Sequence, residues 1–330
     1  MTVLDGDRFR DPGSGNVDRV VAAIDVGTNM VRLRVERVTR VWHSLVAHDW
    51  AITRLGGSQS SDGRLDPAAI ERTLTTLERF TQRARALGAS EIWAAGTCAV
   101  REASNQSEFV RQAKERTGLD VEVIGGDEEA RLDAIGAIAD LGGDVRDALL
   151  VDIGGGSTEV VRIEAGNVVR GTSFPVGVVR LTEKWLRTDP PTAQELESLD
   201  TAARTALGAA RRLLPATCGP GFELIANSGT AATLAAVDLA LAELDPDRLR
   251  AHVVERDGVE RIYRSLAALP AARRLEVPGV VPGREDLIVA GLALLRAVMD
   301  LVGTGRVRIA TGGLLEGLLV DRVRGSPLEE

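Results

Sequence analysis

Two Asp-x-Gly turns, each caught between two apolar runs, constrain this chain more than anything else in it. The clearer one lies in Asp152-Ile-Gly-Gly-Gly-Ser-Thr-Glu159, where Ala148 to Val151 reads as a buried strand and Thr158 to Ile163 as a second strand returning. If the turn spans Gly154 to Ser157, the ladder pairs Ile153 with Thr158 and Asp152 with Glu159. Two carboxylates then stand opposite each other on one face of the sheet. Like charges so placed repel, and a hard cation between them relieves the repulsion; carboxylate oxygens with a phosphate nearby suit Mg²⁺ or Mn²⁺. Gly154, Gly155 and Gly156 carry no Cβ, so their N–H groups can converge on an anion, with the Ser157 and Thr158 hydroxyls as further donors. An ordinary hairpin with a flexible turn is the competing reading.

The first turn, Asp25-Val-Gly27, follows the buried run Val20 to Ile24 and precedes Val31 to Val35. The same pairing sets Asp25 opposite Arg32, so a salt-bridged hairpin is a fair alternative there, and the metal is assigned to the second hairpin. A third strand falls within Trp42 to Ile52. Asp66-Pro67 then opens a helix as N-cap and first-turn proline; Ile70, Leu74, Leu77, Ala84 and Leu87 share its inner face, and Gly88 ends it. Strands are expected at Glu91 to Ala95 and Asp120 to Ile124, with a helix over about Ser107 to Arg116 between them. Another helix starts near Asp127, with Leu132, Ile135 and Ile138 inward.

The second half repeats this order. Asp25-x-Gly27 matches Asp152-x-Gly154, Gly96-Thr97 matches Gly229-Thr230, and Gly125-Gly126 with Glu129 matches Gly312-Gly313 with Glu316. Extra length falls between about Leu241 and Gly303, a helical insertion whose largest element is Glu285 to Leu301. The expected fold is therefore α/β: two βββαβα domains facing each other across a cleft, with the glycine turns at its edges. Clefts of that kind hold phosphorylated ligands.

Composition narrows the functional classes. The chain has 330 residues, 44% hydrophobic and 27% charged, enough for two cores. No run of about 18 apolar residues suggests a membrane helix, and Met1 to Val20 has no apolar signal core, so residues 1–16 read as a disordered extension and the cytoplasm is the expected compartment. A net charge of −8 argues against a general nucleic-acid binder. Cys98 and Cys218 are too few for a disulfide framework or zinc site and read as buried small hydrophobes. His43, His48 and His252 show no ligand-like spacing.

This arrangement resembles the actin-like, ribonuclease H-like phosphotransferase fold. Within it, Ala23-Ile-Asp-Val-Gly-Thr-Asn29, Gly96-Thr97 with Arg101-Glu-Ala103, Gly126-Asp-Glu-Glu-Ala-Arg131, Val151 to Glu159 and Ser228-Gly-Thr230 are similar to the exopolyphosphatase and guanosine pentaphosphate phosphohydrolase family, Ppx/GppA. Five motifs in order make the resemblance specific. It implies that Glu129 activates the attacking water, that Asp152 and Glu159 hold magnesium, and that Gly27, Thr28, Asn29, Thr97, Arg101 and the Gly154 to Thr158 turn contact phosphate, with Asp25, Glu128, Gly229 and Thr230 as secondary candidates. Elementary chemistry agrees, because hydrolysing a phosphoanhydride needs a positioned water, neutralised phosphoryl oxygens and an in-line chain. A helix N-terminus tends to keep Glu129 ionised and able to accept a proton; the competing reading is that Asp127, Glu128 and Glu129 merely favour the positive end of a helix.

The resemblance also implies domain boundaries and substrates. Residues 17–126 with 313–330 would form the first domain and 127–312 the second. The substrate would be inorganic polyphosphate or, alternatively, the guanosine polyphosphate pppGpp, and the protein could form a homodimer. Met30 stands where that family commonly has serine, and Leu315 where it commonly has arginine. Both weaken the grip expected on a long chain, and the sequence ends at Glu330 without the helical extension of longer members. Short polyphosphates are thus the expected substrates, with a non-catalytic polyphosphate or guanosine polyphosphate sensor as a further alternative.

Overall fold

In the computed structural model, the described residues are 19–39, 43–57, 63–216, 218–219 and 221–325; the expected N-terminal extension lies outside them. The chain divides into two compact units, one running up to Ile124 and resuming at Leu318, the other spanning Gly125–Gly317. Among the described residues no helix is long and apolar enough to cross a membrane.

The first unit contains β1 (Arg19–Val26), β2 (Met30–Val38), β3 (His43–Ile52), α1 (Pro67–Ala86), β4 (Ala89–Gly96), α2 (Cys98–Glu102), α3 (Gln106–Thr117) and β5 (Val121–Val123). Its sheet runs β3-β2-β1-β4-β5. β1 sits at the centre, antiparallel to β2 and parallel to β4, and is buried on both faces from Val21 onward, which is why its sequence shows no alternation. Asp66 caps α1 through its side chain, 2.8 Å from the Ala69 N–H, with Pro67 in the first turn. Ile70, Leu74, Leu77 and Ala84 are buried beneath it as expected, joined by Phe80. Leu87 is not among them: it is the C-cap, 37% exposed, because the helix ends one residue before its side chain can turn inward.

In the second unit α4 (Gly126–Asp140) is followed by β6 (Asp147–Ile153), β7 (Thr158–Glu164) and β8 (Asn167–Phe174), then α5 (Val178–Trp185) and α6 (Ala193–Leu207). β9 (Phe222–Asn227) and α7 (Ser228–Asp238) come next, then α8 (Pro246–Leu249), β10 (Val253–Glu255), α9 (Arg256–Ala267), α10 (Ala271–Arg274), α11 (Ile288–Val302) and β11 (Arg306–Ile309); α12 (Leu314–Gly325) begins in this unit and belongs to the first from Leu318 onward. The sheet order is β10-β11-β9-β6-β7-β8. Read from β8, it repeats the first sheet strand for strand and adds β10 at the far edge. The α/β class and the repeated strand order agree with the sequence reading. β10 has only three residues, too few to show a period. The insertion is helical, but its longest helix starts at Ile288, three residues later than expected. Cys98 is buried; Cys218 is exposed on the link into β9, which corrects the expectation of two buried cysteines.

One face of the second sheet is covered by α6, α7, α9 and α11 around Leu149, Val151, Val160 and Leu224. The other is covered by α4, whose inner side is Ala130, Ala134 and Ala137 against Ala148, Leu150, Val161 and Ile225. Ile135 and Ile138 are only partly buried, contrary to the periodicity. The reason is a backbone-to-backbone approach: a Cβ on Gly136 would lie 1.9 Å from the Gly313 carbonyl oxygen, and one on Gly317 would lie 1.9 Å from that of Leu132. The glycines let α4 approach the Gly313–Gly317 segment at the start of α12 this closely. Gly136→Ala is therefore expected to cost about 1–3 kcal/mol, since the clash is with backbone that cannot rotate away; a lowered urea midpoint at unchanged slope would show it.

Candidate active site

The four-residue turn after β6 fixes register, pairing Ile153 with Thr158 and Asp152 with Glu159. Parallel pairing on the other side sets Asn227 of β9 beside Asp152, and Ser173 of β8 stands beside Glu159. Asn227, Asp152, Glu159 and Ser173 thus form one polar row across four strands. In-register neighbours share a face, and this is the face under α4, two residues beyond the apolar row of Leu150, Val161 and Ile225.

Glu159 is 2% exposed and accepts a hydrogen bond from Ser173 Oγ at 2.7 Å, with the Ser157 hydroxyl as a second donor. Burial pushes its carboxyl well above the usual carboxylate range, and the charges of Glu129 and Asp152 push the same way against those two hydroxyls. Glu129 comes from the first turn of α4, where its N–H bonds the Gly125 carbonyl at 2.9 Å. Glu128 points elsewhere: it pairs with Arg131 through two 2.8 Å bonds and is half-exposed. Asp133, one turn beyond Glu129, is a further buried acid on the same helix. Sequence reasoning passed over it.

The glycine turn is held from outside. Gly154 N–H bonds the Ser157 carbonyl, while the Gly154 and Gly155 carbonyls accept from Val178 and Val179 at the start of α5. A Cβ on Gly177 would lie 2.4 Å from the Gly155 oxygen, so the support is as close as backbone permits. Thr158 is fully buried and donates its hydroxyl to the Val176 carbonyl at 2.6 Å. Its hydroxyl proton holds this turn in place. The Ser157 hydroxyl is likewise turned to Glu159.

In the first unit, Asp25 pairs in register with Arg32 and is salt-bridged to it at 2.7 Å. The two hairpins are therefore alike in backbone and differ in the residue set opposite the turn's aspartate: an arginine in the first and a glutamate in the second. This fits a divalent cation at Asp152 and Glu159. Among the described residues no three His, Cys, Asp or Glu side chains converge as a ready metal cage, so other oxygens must complete the set, as suits Mg²⁺, which keeps waters and substrate phosphate.

The turn Gly27 to Met30 closes through Gly27 N–H to the Met30 carbonyl, and the segment 53–56 clasps it: Thr53 and Arg54 N–H bond the Asn29 carbonyl and Gly56 N–H that of Thr28. Thr28 and Asn29 are buried, and both polar atoms of the Asn29 amide lack a hydrogen-bond partner among the described residues. A buried amide so placed is suited to a ligand. Thr97 is buried against the end of β1, its N–H 3.2 Å from the Val26 carbonyl. Arg101 bonds the Ile124 carbonyl at 3.0 Å through one nitrogen of its fork.

Thr230 is buried against α11, where a Cβ on Gly291 would come 2.5 Å from its hydroxyl. Leu315 is core. Gly229 is overlain by the Arg284 guanidinium, which a Cβ there would meet at 1.9 Å. Arg284 lies in the insertion and had no motif to reveal it. Register also makes Ala95 the counterpart of Asn227, since these flank Asp25 and Asp152; the match of Gly96-Thr97 to Gly229-Thr230 is therefore out by one residue.

Comparison with known proteins agrees with this geometry. Residues 34–325 match the Ppx/GppA phosphatase family. The chain is 31% identical to exopolyphosphatase 2 of Mycobacterium tuberculosis over 91% of its own length and 98% of that protein's. It is 28% identical to a guanosine-5'-triphosphate,3'-diphosphate pyrophosphatase of Photobacterium profundum, covering 92% of this chain and 59% of that one. The crystal structure of an exopolyphosphatase from Cytophaga hutchinsonii superposes with a TM-score of 0.86 at 25% identity, over 94% of this chain and all of that one. With its repeated sheets, its acidic row and these likenesses, the chain belongs to the Ppx/GppA phosphatase family.

Proposed function

We propose that this protein is an exopolyphosphatase, hydrolysing the terminal phosphoanhydride of inorganic polyphosphate to release orthophosphate. The observation that carries the reading is the contrast between the hairpins: Asp25 faces Arg32 in register and is salt-bridged to it, whereas Asp152 faces Glu159, on which the charges of Asp152 and Glu129 both act. Asp152 and Glu159 would hold Mg²⁺ or Mn²⁺, which when bound neutralises phosphoryl oxygens and draws charge from the phosphorus. Glu129 would hold the attacking water by hydrogen bond and take its proton as the water oxygen bonds the terminal phosphorus. The P–O bond to the bridging oxygen breaks, and the shortened chain leaves with that electron pair. The backbone N–H groups of Gly155 and Gly156 would face the phosphoryl oxygens in the second unit; Thr28, Asn29 and Arg101 are the phosphate-contact candidates within the first unit, where the Gly27 N–H closes its own turn.

Hydrolysis of pppGpp is the second reading, favoured by the Photobacterium relative; its chemistry is the same and only the group behind the terminal phosphate differs. Phosphate release from polyphosphates of defined length and from pppGpp, with metal or with chelator, separates the two. The expected result is metal-dependent release that is fastest on short polyphosphate, because Leu315 is a core residue and supplies no charge for a long chain. Preference for chains of hundreds of units would overturn the length assignment. Release that is equal in chelator would overturn the metal.

A further inference from the structure

Asn227 occupies the position at which an asparagine normally caps a helix. It is the residue before α7, with extended backbone (φ −124°, ψ −168°), yet its side chain makes no capping bond. It is 1% exposed, and its Oδ1 has no hydrogen-bond partner among the described residues. Its Nδ2 donates to the Gly312 carbonyl at 3.3 Å, which fixes which end of the amide is oxygen. A buried carbonyl oxygen with nothing to accept is costly to the fold. It is retained beside Asp152, in the same row as Glu159.

The duplication supplies an internal comparison. In the first unit the counterpart of Asn227 is Ala95, in register with Asp25, and there Arg32 neutralises the aspartate. The amide stands beside the aspartate that faces a glutamate, and an alanine stands beside the one that faces an arginine. An Asn oxygen is a hard neutral ligand of the kind Mg²⁺ and Mn²⁺ take alongside carboxylates, and it adds no charge to a row already crowded with acids.

We propose that Asn227 Oδ1 completes the protein oxygen set that holds the divalent cation at Asp152 and Glu159, with the Gly312 carbonyl orienting the amide. The inference rests on the reading that this pair binds a metal. Mn²⁺ binding to the substrate-free protein at pH 8, followed by the electron paramagnetic resonance of free Mn²⁺, tests it without recourse to turnover. Asn227→Ala should raise the Kd by about 10–100-fold, the usual consequence of removing a group that orients a metal site. Asn227→Asp, which keeps the oxygen and adds charge, should bind more tightly than the wild type, and it carries the test alone if the alanine variant does not fold. Unchanged affinity in Asn227→Ala, or unchanged or weaker affinity in Asn227→Asp, overturns the assignment. Asp152→Asn separates the two levels. If it loses Mn²⁺ while Asn227→Ala does not, only this inference falls; if the wild type binds no Mn²⁺ at all, the metal reading falls with it.

Discussion

Glu129→Gln should leave the fold and substrate binding in place while phosphate release falls by about 10²- to 10⁴-fold, the usual worth of a positioned general base. The amide has nearly the shape of the carboxyl but cannot take a proton from water. Removing a charge that acts on Glu159 should, if anything, help the unit fold. The neighbouring acid gives the contrast: Glu128 is paired with Arg131 on the half-exposed side of α4, so Glu128→Gln should keep near-normal turnover. Release by Glu129→Gln at the wild-type rate, measured beside Glu128→Gln, would remove Glu129 from the mechanism.

Glu159→Gln should trade activity for stability. Loss of one of the two carboxylates proposed to hold the cation should cut turnover by about 10²-fold or more, as for other groups that stabilise transition-state charge. The metal-free protein should gain about 0.5–2 kcal/mol at neutral pH, because the substitution removes a buried, repelled charge. The sign in pH follows from the raised pKa. An acid whose folded pKa lies above its unfolded one contributes stability that is full below the unfolded value and is lost as pH rises through the folded value. In chelator, the wild-type melting temperature should therefore fall with rising pH relative to that of Glu159→Gln. Parallel profiles for the two would show that Glu159 is not a strained acid.

Local chemistry was legible and long-range pairing was not. The registers of Asp152 with Glu159 and Asp25 with Arg32 followed from short turns whose glycines mark their ends, so an acid–acid pair in one hairpin and an acid–arginine pair in the other were visible in the letters alone. Asn227 entered the row through parallel pairing with a strand 75 residues away, which no periodicity reveals. Arg284 was hidden in an insertion without internal likeness. Apolar spacing misplaced the inner face of α4 because a helix seated on another backbone selects for alanine and glycine, leaving isoleucines at its sides. Choosing Glu129 over Glu128 rested on resemblance to the family; structurally, the choice turns on Arg131, which draws the other acid aside.

The paired hairpins also bear on how a duplicated unit divides its labour. A guanidinium tethered to β2 is present whatever the medium contains, so the turn it neutralises belongs to the permanent scaffold. If Asp152 and Glu159 hold a divalent cation as proposed, the charge balance of their hairpin tracks the supply of that ion. Depletion of divalent ions should thus act on one copy and spare the other, giving the protein a constant half and a half that reports on its surroundings.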